Sequence, residues 1–514
     1  TLDGELQVEG EAARGIAIAV NAAGDSAPVE TTIDGNVSST GLGAKGIELK
    51  LEAGADVAAI TTLVKGDVAS GGENGFGLSV SSVGGVSTDV VDTTIDVDVF
   101  AEGLSSTGVG IEIDAGQSSG EVTTEIGGNV VAIGELSTGV DLSVLAGESA
   151  SQIQLDVAGD VGATGLNATG IAIDLDSPTL TDPVTVGVGG SLVASGVGAT
   201  GGRVSMTSSA LLSEEALAVT VDGWVAATNN MATGLDITLT NAESTGNVAL
   251  SIGEDAESSG GVEATGEGTT GVTIKSQANL GSTGNINFFV DGGTFVEGNN
   301  ATGLSFTSKA GLNSGTLTTE INGDLDVSGT NARGLAIAVD AGTNAGAVTT
   351  DITGNVTAEG EGAQALKIAV VAGGDVEAVA TTIGGKIIAA GAQSTGAGIS
   401  IEAIENAVPS TINVADDIQV SSTGTDATAL ELEFDIAKLI APLEFDAGAS
   451  IIASGVRSTG ALITMSTSTE LSDEALEVTI DNALIANAED ATGLSVKLEN
   501  EAGTGSVVLS VGED

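Results

Sequence analysis

Apolar residues fall at every second position in one short run after another along this chain. In "GIELKL", Ile47, Leu49 and Leu51 alternate with Glu48 and Lys50, and in "TGIAIDL" Ile171, Ile173 and Leu175 recur at the same interval. A period of two sends one set of side chains to each face, so each run predicts a β-strand with one buried face. A second alternating run, "TTIDGNVSS", precedes the first, and Gly, Asn, Asp and Ser fill the gaps, as corners with tight or left-handed turns require. Helical spacing is missing throughout, which sets aside leucine-rich and helical repeats.

The runs recur on a ruler. A phrase such as "NATGIAIDL" (Asn167 to Leu175), "NATGLSFTS" (from Asn300) or "DATGLSVKL" (from Asp490) carries a glycine at Gly15, Gly46, Gly77, Gly108, Gly139, Gly170 and Gly201, a constant interval of 31. It continues at Gly234, Gly271, Gly303, Gly334, Ala365, Gly396, Ala429, Gly460 and Gly493, where a few added residues interrupt the unit without erasing it. One unit cannot bury its apolar row alone, but equivalent strands stacked unit on unit line Ile and Val over Ile and Val into a continuous interior. The expectation is an all-β, elongated, parallel β-solenoid (β-helix) of about sixteen coils of roughly 31 residues, one continuous domain over 1–514. Right-handed coiling follows from the general preference of parallel crossovers. In the phrase itself, Gly is expected to turn the corner and the preceding Thr or Ser to bond a nearby backbone group.

Two coils depart from the ruler. "SSALLSEEALAVTVDGWV" (Ser208 to Val225) and "STSTELSDEALEVTIDNAL" (Ser466 to Leu484) share an insertion in which Ser213 and Ser472 are placed to cap one helical turn with acids at its start. The surrounding blocks, from about Ala199 to Asp255 and from Ser458 to Asp514, match each other as a duplication.

Charge narrows the function classes. Against 71 Asp and Glu stand 13 Lys and Arg, a formal net charge of −58, and between Gly66 and Ile274 the sole basic side chain is Arg203. Nucleic acid is excluded as a partner. At the usual strand spacing, sixteen coils would place about 0.75 charges on each Å of length, above the roughly 0.6 of duplex DNA, so the surface must hold a dense counterion layer. With no Cys, the redox compartment is undetermined. The chain opens without a signal peptide and has no apolar run of membrane-spanning length, as expected of a soluble protein or the mature part of an exported one.

His and Cys are both absent, which removes Ser-His-Asp and Cys-His nucleophiles and the usual zinc sites. What remains are carboxylate pairs: Asp96 with Asp98 in "TIDVDVF", Asp174 with Asp176 in "IDLDS", and Asp416 with Asp417. Strand residues two apart share a face, so the first two pairs are placed to chelate Ca²⁺ or to act as acid and base. A polyanionic groove repels a polyanionic substrate, and a neutral sugar would want aromatic platforms where the chain offers one Trp (Trp224) and no Tyr. The chain is therefore read as a non-enzyme with no catalytic residue, no cofactor, and Ca²⁺ bound diffusely or at lattice contacts; calcium β-roll and EF-hand motifs are missing. Threonine pairs at "ETTID" (from Glu30), "DTTID" (from Asp92), "VTTEI" (from Val122) and "LTTEI" (from Leu317) are expected to point to opposite faces, which argues against an ice-binding ladder. Acceptor tripeptides at Asn36, Asn167, Asn300 and Asn355 are what the repeat itself generates.

Strings such as "GNVTAEGEGAQAL", "GDVGATGLNATGIAIDL" and "GGSLVASGVGATG" resemble the passenger regions of bacterial autotransporters and related large β-solenoid adhesins. That resemblance implies Gram-negative export, a surface-exposed body, and roles in adhesion, aggregation or coat formation; the translocator barrel such proteins carry is not in this chain. The reading is an extracellular, cell-surface structural protein assembling into a filament, sheath or surface layer by end-to-end or side-by-side self-association. The competing readings are an adhesin stalk engaging a cell-surface receptor or glycan, and a polysaccharide-degrading β-helix enzyme. At its ends, "TLDGELQVEG" matches "EINGDLDVSG" (from Glu320) and "SVVLSVGED" matches "NVALSIGED" (ending at Asp255), so both open edges are expected to continue the same stack, into more repeats or another copy.

Overall fold

The computed structural model describes residues 1–514 except 210–214, 254–259, 408–409, 416–418, 440–442, 449, 469–473, 501–505 and 513–514, and except the side chains of 439, 474, 475 and 500. The fold is an all-β parallel solenoid of about 15 turns, about 31 residues each, with no helix among the described residues. One turn illustrates all: a strand Val122–Ile126, a short strand Val130–Ala132 and a long strand Thr138–Ala146, joined by tight corners. Each pairs in parallel with its counterpart one turn on, so that Val140 lies on Ile171, Leu142 on Ile173 and Val144 on Leu175. The alternation expected from sequence is realised: in Thr169–Asp176, Ile171, Ile173 and Leu175 are buried while Asp176 is exposed.

The chain divides into two compact units. The first comprises Thr1–Ser258 with Gly271–Thr273. Its turns run in register from Leu2–Asp3 to Asn247–Ile252, and short extra strands, Ser87–Thr88, Ser118–Ser119, Ser149–Ala150 and Thr179–Leu180, edge four of them. The second comprises Ser259–Thr270 and Ile274–Asp514. There Ile286–Val290 pairs with Leu317–Ile321, Thr302–Ala310 with Arg333–Ala341, and Phe288 packs on Phe306 with ring centroids 4.8 Å apart. Its inward row is buried as far as Ile480, whereas Leu484, Val507, Leu509 and Val511 are exposed.

The recurring phrase has a division of labour that differs from the expectation. The corner is turned by its first residue: Asn167 has φ 51°, and Asn74, Asn300, Asn331 and Asp490 adopt the same left-handed conformation, which Asn and Asp tolerate best among side-chain-bearing residues. The next residue is in several turns a buried Ala, as Ala168, or a buried Ser whose hydroxyl donates to the carbonyl three residues back, as Ser137 Oγ does to Gly134 at 2.6 Å. The glycine is not the turning residue. It is there because a Cβ on Gly170 would lie 2.5 Å from both the carbonyl oxygen of Gly201 on the next turn and a methyl of Val161.

The interior is not uniformly apolar. Thr31, Thr62, Thr93 and Thr124 lie one above another facing inward, and Thr319, Thr350 and Thr381 do so in the second unit. Their hydroxyls are buried without a hydrogen-bond partner in the protein. Of each threonine pair, then, one member points into the core, as the alternation requires. An unpaired buried hydroxyl costs about 1–3 kcal/mol, and an apolar group of the same shape does not. Thr93→Val is therefore expected to raise the melting temperature; an unchanged or lowered value would mean the hydroxyl is satisfied.

Candidate functional site

The sequence-predicted carboxylates are dispersed by the fold into different duties. The strand Val91–Ile95 ends before Asp96, so Asp96 and Asp98 lie in a corner and not on one strand face. The reason is a ladder of side chains bracing that corner. Asp67 N–H donates to Asn36 Oδ1 at 3.0 Å, Asp98 N–H to Asp67 Oδ1 at 3.2 Å, Asn129 N–H to Asp98 Oδ1 at 2.6 Å, and Asp160 N–H to Asn129 Oδ1 at 2.8 Å. Each Asx oxygen satisfies a backbone donor one turn on that the corner leaves unpaired. The second unit repeats the device with Asp324, Asn355 and Lys386. Asp174 does lie on a strand, facing outward beside Asp176, but is paired with Arg203 at 2.9 Å. Asp416 and Asp417 lie outside the described residues, as do Ser213 and Ser472 with the helical turns expected there.

Outward-facing positions one turn apart form an open groove of about 540 Å³ in the first unit, with Asp96, Glu125, Asp156 and Asp222 on its walls. Thr94, Glu125, Asp156 and Gly187 are successive rungs of one ladder, so the acids stand a rung apart instead of converging. Among the described residues no three Asp or Glu are placed to hold a metal ion together. Gln154 Nε2 donates to Asp156 at 2.6 Å. The arrangement is a row of separate carboxylates along an open groove. In the second unit a groove of about 460 Å³ has Glu263, Glu297, Asp326 and Glu359 around the ring of Phe295.

Three half-buried carboxyls depart from ordinary acidity. Burial pushes Asp141 up, reinforced by Asp174 and Glu112 and opposed by Arg203. Burial likewise raises Asp326, against a hydrogen bond from Thr357, and raises Glu431 together with Glu433. Since these groups bind protons more tightly folded than unfolded, stability grows as pH falls through their raised values and stops growing near the ordinary 3.8 of Asp and 4.5 of Glu. The melting temperature should therefore increase as pH falls toward those ordinary values, with Asp141→Asn, Asp326→Asn and Glu431→Gln together flattening the rise. A melting temperature that falls with pH instead would contradict this.

No helix among the described residues is long and apolar enough to cross a membrane. The fold defines the chain as a large parallel β-helix repeat protein. Compared with protein-family models, with characterised proteins and with solved structures, it matches none.

Proposed function

We propose that this chain is a structural protein of the cell exterior, part of a filament, sheath or surface layer of a Gram-negative bacterium. The observation that carries the reading is the repetition itself. Turn after turn in each unit spends its inward side chains on the same stacked rows and its corner Asx residues on bracing, while the outward faces carry most of a net charge of −58. A body so uniform suits extension and coating. Its charge suits an environment rich in Ca²⁺ or Mg²⁺, where divalent ions are held diffusely along the carboxylate rows. An adhesin stalk is the same body with a receptor or glycan at its surface.

The experiment is sedimentation and electron microscopy of the purified chain, with melting curves recorded in parallel. Millimolar Ca²⁺ or Mg²⁺ is expected to raise the melting temperature well beyond monovalent salt of equal ionic strength, and to drive particles into fibres or sheets. Superimposable melts in Ca²⁺ and EDTA, with monodisperse particles at high concentration, would sink the reading.

A further inference from the structure

One corner of the first unit carries an apolar strip that the bracing and stacking do not explain. Leu42, Glu73, Leu104, Glu135, Leu166 and Val197 occupy the same corner position on successive turns, each joined to the next by the corner's backbone bonds, such as Gly43 N–H to Glu73 O at 2.7 Å and Leu136 N–H to Leu166 O at 2.9 Å. The apolar members are 42–46% exposed, and the adjoining left-handed position adds Leu136 at 51% and Met231 at 70%. In the second unit the same position holds Asn299, Thr330, Glu361, Ala392, Thr425, Val456 and Glu489, where Val456 is the one exposed large apolar residue among those named. The corner geometry therefore does not demand leucine, and exposed leucines on alternate rungs, joined by Leu136 on the rung between Leu104 and Leu166, mark a contact site on so acidic a surface.

We propose that this strip docks a cationic amphipathic α-helix, a partner distinct from the repeats that would extend the stack. Two features select that occupant. Glu73 and Glu135 interleave with the leucines and Glu102 flanks them, all exposed, so a partner must offer apolar and cationic groups in alternation; a second copy of this chain would set carboxylates against carboxylates. The rung spacing of about 4.8 Å is close to the 5.4 Å turn of a helix and far from the roughly 6.7 Å between like-facing residues of a strand. Leu42 to Leu166 then spans about 19 Å, which about 13 helical residues cover. The apolar stripe of the helix lies on Leu104, Leu136 and Leu166, and its Lys or Arg side chains reach the glutamates.

The test uses the full chain and a synthetic Leu/Lys peptide of about 14 residues in amphipathic order, against a scrambled peptide of the same composition. Binding is read by fluorescence anisotropy near 0.5 M NaCl, where charge attraction alone is largely screened. The variant Leu104→Thr, Leu136→Asn and Leu166→Thr takes residues that the same corner uses at Thr330 and Asn331, so its fold is preserved. It is expected to bind the ordered peptide at least tenfold more weakly than the native chain. Glu73→Gln with Glu135→Gln should weaken binding severalfold and lessen its salt dependence. Equal binding by native chain and leucine variant, or equal binding of ordered and scrambled peptides, would overturn the proposal. So would sedimentation showing that the native chain self-associates without peptide and the leucine variant does not, since the strip would then be an interface between copies.

Discussion

Ile173→Ala should destabilise the turn that contains it by about 2–5 kcal/mol, whereas Asp174→Ala, one residue on, should cost under about 1 kcal/mol. Ile173 is fully buried between Leu142 on the preceding turn and Val204 on the following one. Truncation removes three heavy atoms from a stack with no flexible neighbour to close the gap, because both flanking side chains are held by their own ladders. Asp174 faces outward at 45% side-chain exposure, and its pair with Arg203 is solvent-screened. In a repeat fold stability is a sum of local and nearest-neighbour terms, so the loss should appear first as faster amide exchange across Thr138–Ala146, Thr169–Asp176 and Thr200–Ser208. Equal effects of the two substitutions would mean that the strand faces are assigned the wrong way round.

Gly170→Ala is the second large effect, and Gly162→Ala is its control. The new methyl at Gly170 meets a backbone carbonyl and a packed valine, neither of which can swing away, while a methyl at Gly162 meets nothing within 4 Å. Overpacking of this kind costs about 1–3 kcal/mol, more where backbone must move. Gly162 lies in the strand Val161–Ala163, where Ala should be neutral or mildly stabilising. Because Gly46, Gly77, Gly108 and Gly139 are confined in the same way, the result at Gly170 speaks for the whole ladder. Comparable melting temperatures for the two variants would show that successive turns are not as close as the register requires.

The strands and their stacking were legible in the sequence because two periods, 2 and 31, are written in side chains whose burial they control, as at Ile171, Ile173 and Leu175. Corners were not, since there the direction of a side chain depends on backbone conformation and no alternation extends across it. Hence Asp98 was expected on a strand face and is found as a corner brace, and the left-handed residue of the phrase is Asn167 and not the glycine. The Asx ladder did leave a signal, an Asp or Asn recurring at Asn36, Asp67, Asp98, Asn129 and Asp160 just ahead of a valine that opens a short strand. The apolar strip at Leu104 and Leu166 left a fainter one, since a single leucine per corner is inconspicuous until the turns are stacked.

The measurement bearing most directly on the account is antibody labelling of intact cells that make this protein, before and after permeabilisation. A structural component of the cell exterior predicts full labelling of intact cells, arranged as fibres or a continuous coat in electron micrographs. Labelling that is absent from intact cells and appears only once the envelope is opened would contradict it.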